Sequence, residues 1–423
     1  MKYIVFLSLI SSFFLNVDLS YSNNSPQENC SECHSEMLDF RVMHPVMEMG
    51  CETCHESTGE DHPNEGRFKL TETLPGLCYM CHEKYTKKNL HYPTDEGECL
   101  SCHSPHGSEF SSILNVEASK ICAECHETGV PENNFGHYPY AEGECSSCHD
   151  SHQSDNSSLL KSPIPALCYE CHENTSEGAT SVHAVLEECS TCHGAHSAEQ
   201  PKLLIQEMPT LCFNCHEESS GEYEHTPVKN GECSGCHNPH ASEQASLLTA
   251  NKQELCLNCH SKTYRTDSTL VENIGQKIKN AKLFHAAIEI DGCSTCHSAH
   301  STGKPAMLKS NFPGSYYTRA KAENFALCFD CHDAAILQED ASASGTNFRN
   351  GSQNLHYFHI NGTRGRSCIM CHDVHASINE HLIRDVVPFG KWEMQMNYKP
   401  FENGGSCLPG CHGELKYDRA LSE

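Results

Sequence analysis

The sequence predicts a mainly irregular fold of short α-helices and few β-strands, drawn out as an elongated tandem array of repeats. Three observations carry that expectation. First, the 423-residue chain is 37% hydrophobic only because its 30 Cys are counted. Without them the apolar share falls to roughly 30%, against ~45–50%, Gly included, in globular domains. Second, every Cys falls into one recurring motif. Third, the motifs recur in pairs every 44–48 residues, a period that marks tandem supersecondary units. Pro (19) and Gly (27) are ordinary in number, which disfavours disorder. A chain this polar must be built around something it binds.

Residues 1–22 read as a secretory signal: Lys2 opens a short basic start, 4–17 are largely apolar, and Ser20-Tyr21-Ser22 offers small residues for cleavage. A retained N-terminal anchor is the alternative. No later segment is apolar enough to span a membrane. The net charge of -27, from 56 acidic and 29 basic residues, excludes nucleic acid as a partner, since phosphate binding needs clustered Lys and Arg. It suits a soluble particle that meets basic patches on other proteins.

Fourteen motifs are Cys-x-x-Cys-His: Cys30/Cys33/His34, Cys51/Cys54/His55, Cys78/Cys81/His82, Cys99/Cys102/His103, Cys122/Cys125/His126, Cys145/Cys148/His149, Cys168/Cys171/His172, Cys189/Cys192/His193, Cys212/Cys215/His216, Cys233/Cys236/His237, Cys256/Cys259/His260, Cys293/Cys296/His297, Cys328/Cys331/His332 and Cys368/Cys371/His372. The fifteenth, Cys407/Cys411/His412, has one extra residue between its Cys, and none of the 30 is left over. Two thiols at this spacing can each form a thioether to one porphyrin vinyl group, and the adjacent His then lies beneath the iron as proximal ligand. Zinc ribbons do not require His after every second Cys, a disulfide framework has no use for it, and a thioredoxin-like site would occur once. About 15 covalently bound haems c are expected.

Odd-numbered motifs tend to follow Leu, as at Leu167, Leu211, Leu255 and Leu327, and even-numbered ones Gly-Glu, as at Gly97-Glu98, Gly143-Glu144 and Gly231-Glu232. Seven two-haem repeats and a terminal haem follow. The expected organisation is a signal peptide over 1–22, compact repeats 1–5 with the first motif of repeat 6 over 23–262, the expanded remainder of repeats 6 and 7 over 263–383, and a C-terminal segment over 384–423. Insertions fall near 263–285 and 333–358.

Fifteen of the 31 His belong to motifs, which leaves 16. One precedes each even motif: His44, His91, His137, His183, His225, His285, and either His356 or His359. One follows each even motif: His62, His106, His152, His196, His240, His300 and His375. His381 and the unused member of His356 and His359 complete the set. A lone His of this kind is best read as a loop residue, but fixed offsets point to distal ligation, with imidazole on both faces of every iron. His62 is the weakest member, seven residues past His55. His103 and His106 are too close in sequence to reach opposite faces of one porphyrin, so His106 should serve a neighbouring haem. Met47, Met394 and Met396 are alternative ligands, although spare Met more often fills gaps. His381 is the first candidate partner of His412.

Pro163 and Pro209 are placed to open short helices before odd motifs. His-Tyr-Pro at 91–93 and 137–139 marks extended or turn segments. Leu159-Leu160, Leu203-Leu204 and Leu247-Leu248 are expected to pack on the next haem. Trp392, with Phe389, Tyr398 and Phe401, packs over the last haem or docks a partner.

The run Cys122-Ala-Glu-Cys125-His126, His137-Tyr-Pro139, Gly143-Glu-Cys145 to Cys148-His149, and His152 resembles the doubled CXXCH family of multihaem c-type cytochromes, over about residues 28–412. The resemblance implies a periplasmic or extracellular electron carrier, of the kind used by bacteria that respire metals or other extracellular acceptors. The expected function is relay of electrons along a chain of bis-His haems, without enzymatic activity. Expected partners are redox proteins acting as donor and acceptor, an outer-membrane conduit or further copies of the chain among them. The alternatives are a reductase with one open haem and a filament-forming extracellular cytochrome. No Cys-x-x-Cys-Lys motif supports the former.

Overall fold

The structure, a computed structural model, describes residues 30–60, 62, 66–265, 270–338, 340–341 and 345–421. The expected signal segment 1–22 lies outside them. The described chain forms two compact units, 30–129 with 138–162, and 130–137 with 163–421. The first carries the motifs from Cys30 to His149, the second those from Cys168 to His412.

Local structure is short throughout. Single helical turns at Gly76–Tyr79, Ala166–Tyr169, Thr210–Phe213 and Ala326–Phe329 hold the first Cys of an odd motif. Four residues cannot sustain a helix alone, so these turns depend on what their Cys hold. Lys252–His260 is longer and contains a whole motif, with the Asn251 side chain accepting from the Glu254 amide as N-cap. Even motifs begin in 3-10 turns such as Cys99–Ser101 and Cys233–Gly235. The His-Tyr-Pro segment, expected to be extended or a turn, is both: His91 is extended, and Tyr92–Asp95 forms a single helical turn with Pro93 at its second position. Proline is tolerated there because that N–H has no partner within the helix.

The Gly of the Gly-Glu signature has a steric reason. Gly97 has φ +75°, and a Cβ there would lie 2.6 Å from Cγ of Pro75, which N-caps the preceding odd-motif helix. Gly231 repeats this against Pro209, at 2.7 Å.

Two-residue antiparallel ladders join one repeat to the next. In the first unit Val42–Met43 pairs with Gly107–Ser108, and Asn89–Leu90 with Gln153–Ser154. The second has four: Phe135–Gly136 with Ser197–Ala198, Ser181–Val182 with Ala241–Ser242, Tyr223–Glu224 with Ser301–Thr302, and Leu283–Phe284 with Ala376–Ser377. None of these joins a third strand among the described residues.

Among the described residues, clusters of buried apolar side chains form only toward the C-terminus. In the first unit the only buried residues among those described are Gly107, Ser108 and Ser154. In the second, Phe325, Leu337 and Ile360 form one cluster, and Met370, Val387 and Met396 another. The later insertion supplies Leu337, so it contributes packing material to the first of these clusters. The earlier one forms the hairpin Tyr264–Arg265/Leu270–Val271 and the helix Ile274–Asn280, whose Lys277 ion-pairs with Asp373 at 2.9 Å. Beyond residue 384 the chain makes the hairpin Val386–Phe389/Trp392–Gln395 and a three-stranded sheet of Lys399–Phe401, Gly404–Cys407 and Leu415–Asp418.

Two outcomes are expected. A form with every motif Cys replaced by Ala should lack a cooperative native-like thermal transition by circular dichroism; such a transition would refute the dependence of the fold on its cofactors. Gly97→Ala should destabilise the loaded protein by about 1 kcal/mol or more, measured by thermal melting against a Gly413→Ala control, since a Cβ at Gly413 meets nothing within 4 Å.

Candidate haem-binding sites

The ladders bring His residues together. In each, the backbone N–H of the His that precedes an even motif donates to the carbonyl of a His that follows the next one: His44 to His106 and His91 to His152 in the first unit, and His137 to His196, His183 to His240, His225 to His300 and His285 to His375 in the second, at 2.8–2.9 Å. Side chains from the two ends of a ladder then point to different motifs.

Among the described residues imidazoles face each other in pairs, of which five are in the first unit: His34–His62 with 5.9 Å between ring centres, His44–His82 at 6.0 Å, His55–His106 at 6.1 Å, His91–His126 at 6.0 Å and His103–His152 at 5.9 Å. The second unit has eight: His137–His172 at 6.1 Å, His183–His216 at 6.0 Å, His193–His240 at 5.9 Å, His225–His260 at 6.2 Å, His237–His300 at 5.8 Å, His285–His332 at 6.1 Å, His297–His375 at 6.3 Å and His356–His372 at 6.3 Å. Each pair joins one motif His to one non-motif His. Two imidazoles bound to one metal ion at about 2 Å each place their ring centres about 6 Å apart. All thirteen pairs fit that span, so the residues present suit an iron porphyrin between them.

The pairing follows a rule. An odd-motif His faces the His that precedes the even motif before it, as His82 faces His44. An even-motif His faces the His that follows the next even motif, as His55 faces His106. At the N-terminal end His34 takes His62, and at the last even motif His372 takes His356. His359 is the imidazole that feels the charge of His412; its Nδ1 donates to the Leu355 carbonyl at 2.7 Å, and Phe348 stacks on it. His412 donates from Nδ1 to the Gly413 carbonyl at 2.6 Å. His149 donates to the Ser158 carbonyl at 2.8 Å, and His196 enters its ladder through its carbonyl. His381 is exposed and faces no second imidazole among the described residues. Met396 is in the core, and Met394 Sδ lies 3.6 Å from Cys411 Sγ.

The motif thiols are set by short backbone turns. The amide of the second Cys donates to the carbonyl of the first at Cys33–Cys30, Cys54–Cys51, Cys81–Cys78, Cys171–Cys168, Cys215–Cys212 and Cys331–Cys328, at 3.2–3.3 Å. The two kinds of motif differ in cover. The second Cys of every odd motif is exposed: Cys33, Cys81, Cys125, Cys171, Cys215, Cys259 and Cys331, and Cys411 with them. The second Cys of the even motifs, Cys54 among them, is half-buried. A residue expected to hold a cofactor is ordinarily walled in by side chains, and the exposed thiols are not. The chain has too few apolar residues to cover them, and a porphyrin joined to the sulphur would be the cover instead. Among the described residues no three of His, Cys, Asp and Glu converge closely enough to hold a bare metal ion.

Thiols of successive motifs also meet. The first Cys of an odd motif lies beside the first Cys of the next even motif, near enough for each thiol to bear on the other's ionisation, at Cys30–Cys51, Cys78–Cys99 and Cys122–Cys145 in the first unit, and at Cys212–Cys233, Cys256–Cys293 and Cys328–Cys368 in the second. The second Cys of an even motif lies beside the next odd motif: Cys54 beside Cys78, Cys102 beside Cys125, Cys192 beside Cys215, Cys236 beside Cys259, and Cys296 beside Cys328 and Cys331.

Burial sets the protonation of the imidazoles. It holds His356 and His375 down to about 4, and lowers His106, His152, His240, His297, His300 and His372. Neutral imidazole, the metal-binding form, is thereby favoured at pH 7.

A left-handed turn of two residues other than Gly follows the even motif in six repeats, without a signal in the sequence. The turns are Ser112-Ile113, Ser158-Leu159, Lys202-Leu203, Ser246-Leu247, Ala306-Met307 and His381-Leu382, with φ from 49 to 60°. Such residues cost of order 1–3 kcal/mol each and persist only where their surroundings impose them. The first residue of each turn accepts the Nδ1 proton of the motif His nine residues earlier, at 2.8–2.9 Å. The Leu-Leu pairs thus serve partly through backbone: Leu159 is the second left-handed residue, and Leu160 bridges to His149.

Repeated Cys-x-x-Cys-His motifs on a chain with almost no core, each His set across a fixed gap from another, define a multihaem c-type cytochrome, an electron-transfer protein with covalently bound haem c. Six segments, 44–87, 91–130, 137–177, 183–221, 225–264 and 285–336, match the doubled CXXCH motif family and together cover more than half of the chain. The chain belongs to that family. It is also similar to the multiheme cytochrome MtrA of Shewanella baltica (strain OS185), 28% identical over 138 residues, which are 26% of this chain and 41% of the relative. The match thus spans about two fifths of that relative's length. No described helix is long and apolar enough to cross a membrane. Each family segment opens on a His that precedes an even motif and ends after the odd motif it faces, so it closes one imidazole pair internally. The sequence pattern alone had grouped the motifs the other way, odd with following even.

Proposed function

We propose that the chain is a relay that passes electrons among 15 covalently bound haems, in the periplasm or outside the cell, as part of an anaerobic-type respiration. The observation that carries this reading is the single spacing of 5.8–6.3 Å shared by thirteen imidazole pairs. The 30 motif Cys hold the porphyrins through thioethers, the 15 motif His are the proximal ligands, and the facing His are the distal ones. His359 is the distal ligand opposite His412, and His196 is a distal ligand by its place in the repeat. Each haem supplies a one-electron ferric/ferrous couple. An imidazole on both faces leaves no position for a substrate, which favours a carrier over a reductase. The proximity of thiols such as Cys78 and Cys99, and Cys102 and Cys125, sets successive attachment points near one another.

The apolar stretch within 1–22 supports export, and the net charge of -27 favours donor and acceptor proteins that present basic patches. With His359 assigned to His412, only His381 is left without an iron.

Intact mass spectrometry of the loaded protein is expected to find fifteen haem additions; twelve, the number of motifs inside the six family segments, would remove the motifs at Cys30, Cys368 and Cys407 from the relay. Electron paramagnetic resonance of the oxidised protein should show low-spin ferric iron only, and a high-spin signal in the wild type would sink the carrier reading. His106→Ala should leave the haem count unchanged and convert one iron, that facing His55, to high spin.

A further inference from the structure

The left-handed turns treat the two kinds of motif differently. At the even motifs of the second unit the turn grips the proximal imidazole. Ser246 accepts from His237 Nδ1 at 2.9 Å, Leu247 accepts from the amide of Asn238, the residue after that His, at 2.7 Å, and Leu248 bridges to His237. Lys202, Leu203 and Leu204 do the same around His193. The odd motif between them has no such device. Its pair is His183–His216, and among the described residues neither ring donates from Nδ1 to any acceptor.

This difference acts on the iron. A carbonyl that accepts the Nδ1 proton fixes the tautomer that leaves Nε2 free, fixes the ring plane, and makes the imidazole a stronger donor. A stronger donor favours ferric over ferrous iron, so the site is harder to reduce. The strain of two left-handed residues, Ser246 at 58° and Leu247 at 57°, is then retained because it aims that carbonyl.

We propose that the Lys202-Leu203 and Ser246-Leu247 turns are positioning devices that set the His193 and His237 sites at lower potential than the His216 site between them, so that this stretch of the relay alternates low, high, low. The inference rests on the relay reading above, with these imidazoles as iron ligands. It is drawn from His183 onward because earlier odd-motif pairs carry an anchor on the distal ring: His44 on Pro105, His91 on Ser151 and His137 on Ala195, at 2.8–2.9 Å.

The test uses the full-length loaded protein. Proline cannot adopt positive φ, so Ser246→Pro moves the carbonyl away from His237. It should make one haem about tenfold easier to reduce in a spectroelectrochemical titration, a rise of about 59 mV for one electron, with the haem count unchanged. Ser246→Gly keeps the left-handed turn and its carbonyl and should restore the wild-type curve. Equal curves for the two variants, or an equal shift in both, overturn the proposal. If the proline variant does not load haem, the wild type still decides. In the reduced protein the Nδ1 protons of His193 and His237 should exchange with solvent at least tenfold more slowly than those of His183 and His216 by nuclear magnetic resonance, and equal rates overturn it. High-spin iron in the wild type would sink the relay reading and this inference together, whereas low-spin iron with indistinguishable variants sinks only the role of the turn.

Discussion

An imidazole required to stand about 6 Å from a second one, with a porphyrin between them, cannot find that partner in its own motif. Most of the architecture follows from this constraint. A His three residues past the motif is held near the face already taken, so it must serve elsewhere. The chain meets the need by exchange. His106 crosses to His55, while His44, joined to His106 through the backbone, crosses to His82. A two-residue ladder is enough to hold both, because its task is to fix the start of two side chains, not to build a sheet.

The same constraint explains how a chain this poor in apolar side chains stays ordered. In the first unit Gly and Ser are the only buried residues described, so neither helices nor ladders rest on a conventional interior. Porphyrin planes supply the apolar area, and thioethers and iron bonds staple four-residue helices that would melt alone. Where the chain departs from the plain repeat, after His332, it turns to the ordinary solution, burying Phe325, Leu337 and Ile360 together.

What was legible in the sequence was what covalent chemistry dictates residue by residue. The Cys spacing named the cofactor, and the surplus of His set a candidate ligand beside each motif. Motif spacing alone could not tell the exposed Cys81 from the half-buried Cys54, because cover depends on which neighbour folds over each turn. The Gly-Glu signature was visible as a pattern, but its reason, the approach of Gly97 to Pro75, needed coordinates. The ladders were hidden because two residues are too short to show alternation. The left-handed turns were hidden because Ser, Lys, Ala and His carry no preference for positive φ strong enough to read. Which His faces which depends on contacts 16 to 78 residues apart in sequence, from His356 with His372 to His297 with His375, and no local period records those. The family segments group an even motif with the odd one after it, whereas motif spacing alone suggested odd with following even, because spacing does not say which neighbour a His serves.

The exchange of His between neighbours also bears on how such a chain lengthens or shortens. Every internal boundary has the same accounts: one imidazole is lent forward and one backward. Recombination that excises or duplicates a stretch between equivalent points, for example from His183 to just before His225, rejoins a lender to a borrower of the same kind and orphans no iron. Only the two termini need special arrangements, and His62 and His356 provide them. An array built this way can change by whole repeats during evolution while each imidazole of a facing pair keeps a partner of the same kind.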